Sequence, residues 1–66
     1  MNTGKSLTIL MAQLGYGRKE MAKALGFNET YISTLKGMKT CSGDLIVKMA
    51  KVGNIKPSEF IALSGD

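Results

Sequence analysis

Catalytic chemistry has little to work with in this chain. It contains no histidine, a single cysteine (Cys41) and no pair of carboxylates at a spacing suited to sharing a proton. Hydrogen bonding is better served. The stretch from Arg18 to Met38 reads RKEMAKALGFNETYISTLKGM. Within it Glu29, Thr30, Ser33 and Thr34 recur at helical spacing on one side, opposite Ile32 and Leu35. Such a strip offers one carboxylate that accepts and three hydroxyls that donate or accept. It suits contact with the polar edges of another molecule, not their transformation. Cations stand at both ends: Arg18 and Lys19 ahead of it, Lys36 and Lys39 behind.

Two short helices joined by a tight turn must position that strip. Ala22 lies four residues before Gly26, Ile32 six after it and Leu35 nine after it. Two helices cross steeply only where the residues between them are small, as Ala22 is, and Gly26 suits a turn that requires φ > 0. The first of the pair is expected from Arg18 to Leu25, burying Met21, Ala22 and Leu25. Gly17 brings no capping side chain to its start. Asn28 is expected to cap the second, with Glu29 in its first turn and Lys36 near its other end, both favourable to the helix dipole. Gly37 is expected to stop it.

The rest of the chain supplies three more helices. Leu7, Leu10, Met11 and Leu14 follow the i, i+3, i+4, i+7 pattern, ended by Gly15. Ser42 is placed to cap a helix reaching Val52, with Leu45, Ile46, Met49 and Val52 inward and Gly53 after it. Pro57 suits the first turn of a fifth helix, whose apolar surface is Phe60, Ile61 and Leu63. No stretch reads as a strand, so the expected fold is all-α, a single domain over residues 1–66. A domain this small has a core worth only about 3–5 kcal/mol of net stability.

Nine Lys plus Arg against five Asp plus Glu leave a net charge of +4, which favours an anionic partner. Charge alone does not separate that reading from a merely solvated surface. One cysteine forms no internal disulfide, and without histidine no zinc site is expected. No charged segment leads into an apolar one, and no apolar run approaches the ~20 residues that span a bilayer. The expectation is a cytoplasmic protein with no membrane partner, no cofactor and no small-molecule ligand. Gly4-Lys5-Ser6 has the look of a phosphate-loop ending, but lacks the earlier glycine and preceding strand of that motif. Cys41 has no base partner and reads as loop filler.

Met21, Ala22, Leu25, Gly26, Phe27, Ile32 and Leu35 together resemble the motif of the lambda-repressor-like helix-turn-helix group. That group includes phage repressors, their small Cro counterparts and Xre-type regulators. The tail NIKPSEFIALSG is similar to the segment that closes this domain as a fifth helix, so the resemblance runs roughly from Leu7 to Leu63. It implies a five-helix domain that binds double-stranded operator DNA, with the third helix in the major groove. Glu29, Thr30 and Ser33 then become candidates for base contact; for Glu29, a purely dipole-stabilising role stands beside that one. Arg18, Lys19, Tyr31, Thr34, Lys36, Lys39 and Thr40 become candidates for phosphate contact. Tyr31 has packing against the second helix as its alternative, Thr34 a bond to its own helix, and Lys36 plain solvation. Lys48, Lys51 and Lys56 are expected to be solvated.

At position 18 the resembling group often carries glutamine, which bonds a phosphate and buttresses a side chain of the recognition helix. An arginine there is expected to serve the phosphate, and its buttressing role is in doubt. A phage- or prophage-type regulator acting as a homodimer follows, with Phe60, Ile61 and Leu63 as the expected interface; the alternative is that the core consumes this surface and leaves a monomer that pairs only on DNA. The rival class is a protein-interaction module on the same fold, antirepressor or antitoxin-like. RNA binding is disfavoured by the scarcity of aromatic platforms.

Overall fold

The computed structural model describes residues 2–65. Its five helices are α1 (Thr3–Leu14), α2 (Arg18–Leu25), α3 (Glu29–Gly37), α4 (Gly43–Val52) and α5 (Pro57–Ala62). No strand occurs among the described residues, and no helix there is long and apolar enough to cross a membrane. α1 packs on α3 and α5, α2 on α3 and α4, and α4 on α5. The core they enclose centres on Leu7, Met21, Ile32 and Phe60, none of which retains exposed surface. Leu10, Met11, Ala22, Leu25, Leu35, Ile46, Met49 and Ala50 complete it.

Local chemistry explains the boundaries. Gly15 and Gly26 take left-handed φ of 71° and 79°, and each lets two backbone amides fold back on the last turn of its helix. The side chains of Asn28 and Ser42 accept from the amides of Tyr31 (2.7 Å) and Leu45 (3.4 Å), starting α3 and α4. Pro57 opens α5, where its missing N–H costs nothing. At α2 the deficit of Gly17 is met from inside the helix. Glu20 Oε1 accepts from the Gly17 amide at 2.9 Å, which is half of a capping box.

One expectation is corrected, at Phe60, and three helix ends are described more closely. α1 begins at Thr3, a full turn before Leu7, so Gly4-Lys5-Ser6 lies in a helix, with Thr3, Gly4 and Ser6 buried. Gly37 is the last helical residue of α3, and Met38 leaves the helix with extended backbone. Gly53 follows α4 as expected, in the right-handed region, and Asn54, at φ 56°, makes the left-handed step. Phe60 has 0 % of its surface exposed. The shared core of this small fold consumes the largest side chain expected at an interface, leaving Ile61 and Leu63 half-buried.

Candidate nucleic-acid interface

The turn between α2 and α3 fixes the geometry of the site. The Gly26 amide donates to Lys23 O at 3.3 Å and the Phe27 amide to Ala22 O at 2.8 Å, so the chain reverses within three residues. Ala22, 3 % exposed, belongs to the buried face of α2, the helix that packs on α3 and α4. Ile32 and Leu35 are buried on α3, which turns Glu29, Thr30, Ser33 and Thr34 outward, all exposed. The strip expected from sequence is therefore a real face of one helix. At 1.5 Å per residue, α3 is about 13 Å long.

One side chain links the two helices on that outer side. Arg18, at the first position of α2, donates from Nη1 to Ser33 Oγ at 2.9 Å. The doubt about a buttressing role for position 18 is thereby corrected: arginine is long enough to span from α2 to the middle of α3. The bond occupies one lone pair of Ser33 and leaves its O–H free to donate. Arg18 keeps its remaining N–H donors, because a guanidinium carries five.

Other expected residues fall in different surroundings. Thr34 Oγ1 donates back to Thr30 O at 3.2 Å, so its hydroxyl proton is spent on its own helix. The Tyr31 ring packs edge-on against Phe27, with centroids 4.9 Å apart and planes at 85°. It is nonetheless 37 % exposed. Lys19, Lys39 and Thr40 are exposed, while Lys36 is half-buried. Lys39 and Thr40 lie in the loop between α3 and α4, and Arg18 and Lys19 open α2, so cationic side chains stand ahead of and behind the polar strip.

Three contributors escaped the sequence reading. Lys48, expected to be solvated, places its Nζ 5.3 Å from the centre of the Phe27 ring, in cation–π range. Phe27 thus joins α4 to the turn and to Tyr31. Glu20 holds the start of α2, as described above; its position three residues after Gly17 was the available signal. Gly4 lies against the end of α3, where an added Cβ would run into the carbonyl oxygens of Lys36 and Met38. Cys41 is half-buried against the core. Among the described residues no three His, Cys, Asp or Glu side chains gather as a metal site would require.

Two short packed helices joined by a tight turn, with one polar face outward, are the form of a helix-turn-helix DNA-binding protein. Residues 6–66 match the family described as the Cro/C1-type HTH DNA-binding domain, and the chain belongs to that family. No curated protein matches it significantly.

Proposed function

We propose that this chain is a transcriptional regulator of phage or prophage type that binds a palindromic operator as a dimer. α3 lies in the major groove, with two copies placed one helical turn apart, about 34–36 Å. The observation that carries this reading is the exposed strip Glu29, Thr30, Ser33, braced from α2 by Arg18. Glu29 accepts from cytosine N4, and Thr30 meets a base edge or a thymine methyl. Ser33, its acceptor engaged by the guanidinium, donates to a purine N7, guanine O6 or thymine O4.

Arg18, Lys19, Lys39 and Thr40 hold the phosphates, with Lys36 at the margin. Tyr31 reaches the backbone through its hydroxyl while its ring stays on Phe27. Thr34 gives its hydroxyl proton to its own helix and has no donor left for a phosphate, so it drops out of the phosphate contacts. The half-buried Ile61 and Leu63 form the dimer contact. The role is binding and regulation, with no catalytic step. Sedimentation at micromolar concentration, with and without an operator duplex, tests the assembly. Two chains per duplex are expected, and one chain on one half-site contradicts the dimer. A fold that bound no duplex at all would be acting as a protein-interaction module.

A further inference from the structure

The loop that carries Lys39 and Thr40 is tied to the start of α1. The Thr3 amide donates to Lys39 O at 2.9 Å and the Gly4 amide to Met38 O at 2.8 Å. These are the first amides of α1, which have no acceptor within their own helix. Gly4 permits the approach, because any Cβ there would strike the carbonyls of Lys36 and Met38. Every peptide bond among the described residues is trans. In a trans peptide the N–H points opposite to the preceding C=O. With Met38 O and Lys39 O drawn toward α1, the amides of Lys39 and Thr40 face away from it. Neither amide has a partner among the described residues, and both residues are exposed.

We infer that Thr3 and Gly4 are positioning residues for the loop after α3. The first turn of α1 draws two carbonyl oxygens inward and presents two amide donors, the Thr40 hydroxyl and the Lys39 ammonium outward to one DNA phosphate. The consequence for binding rests on the DNA reading above. Its electrostatic sense is that the positive end of α1 takes up two oxygens that would otherwise repel an approaching phosphate. Thr3 Oγ1 is buried without a hydrogen-bond partner, so the side chain contributes no bond at this contact and the amide carries it.

That distinction supplies the test. Thr3→Pro deletes the amide and the orphaned hydroxyl together and sets its Cδ where the N–H met Lys39 O, so the loop must move away. Proline is otherwise well suited to the first position of a helix. Thr3→Ser keeps the amide. The probe is a mixed-sequence duplex of about twenty base pairs, since phosphate contacts do not depend on sequence. Thr3→Pro is expected to keep a cooperative melt, to lower affinity roughly three- to tenfold, and to flatten the log–log salt slope by about 0.9. Lys39→Ala is expected to do the same, and the pair together to lose less than the sum.

Thr3→Ser is expected to behave as wild type. Wild-type binding by Thr3→Pro, or an equal loss in Thr3→Ser, overturns the inference. Gly4→Ala is the second variant, with the same expected flattening. If neither folds, the contact serves stability alone and the inference is overturned too. If the wild type binds no duplex, it is the DNA reading that fails. The positioning claim is then decided by the Lys39 and Thr40 amide resonances of the free protein. Thr3→Pro should move them and Thr3→Ser should not; unmoved resonances in Thr3→Pro contradict it.

Discussion

Arg18 at the start of α2 donates to Ser33 in the middle of α3 at 2.9 Å, across the turn that separates them. The two residues stand fifteen apart in sequence. Their bond makes the orientation of a base-reading candidate depend on a phosphate-binding candidate. A double-mutant cycle with Arg18→Ala and Ser33→Ala should show coupling of about 0.5–1 kcal/mol in free-protein stability, small because both side chains are exposed. Chemical denaturation measures it. In operator binding the same cycle should be more strongly non-additive, since DNA excludes water from the pair.

Phosphate contacts are separable from solvated lysines by salt. Replacing Arg18 and Lys39 together by alanine should reduce the log–log salt slope by about two contacts' worth, roughly 1.8. Replacing Lys51 and Lys56 should change it by much less. Fluorescence anisotropy of a labelled duplex across a salt series gives both slopes.

Tyr31 divides cleanly into ring and hydroxyl. Tyr31→Phe keeps the edge-on packing against Phe27, so stability should stay within about 0.5 kcal/mol of wild type. Duplex affinity should still fall, by a few-fold, because one hydrogen bond to the backbone is lost. Phe27→Ala should lower both, since it removes the surface that Tyr31 and Lys48 share.

The turn itself depends on Gly26, whose φ of 79° an L side chain rarely adopts. Nothing crowds the space a Cβ would fill, so the penalty is conformational: about 1 kcal/mol or slightly more for Gly26→Ala. For a domain of this size that lowers Tm by roughly 4–8 °C. Gly26→Asn should lose less, because asparagine tolerates the left-handed region. Thermal melts followed by circular dichroism distinguish the three proteins.

Where the chain punctuates itself, the sequence was a sufficient guide. Gly15, Gly26, Asn28, Ser42 and Pro57 act on neighbours within a few residues, and the helices begin or end beside each of them. The outward strip of α3 was equally legible, because Ile32 and Leu35 fix which side is inside. What stayed hidden depends on distant parts of the chain. Nothing near Gly4 says that the end of α3 lies against it. Arg18 could be placed at a helix start, but its reach to Ser33 depends on the crossing of α2 and α3. Phe60 was correctly apolar, yet residue type alone does not say whether such surface faces the core or a second chain. Lys48 reads as solvated in the sequence because its aromatic partner lies on another element.

Selection of bound duplexes from a random pool, run in parallel on the wild type and on Ser33→Ala, tests base reading by α3 most directly. The expected result is an enriched palindrome for the wild type, and for Ser33→Ala the same palindrome with relaxed preference at one position in each half-site. An unenriched pool, or identical preferences for both proteins at every position, would contradict it.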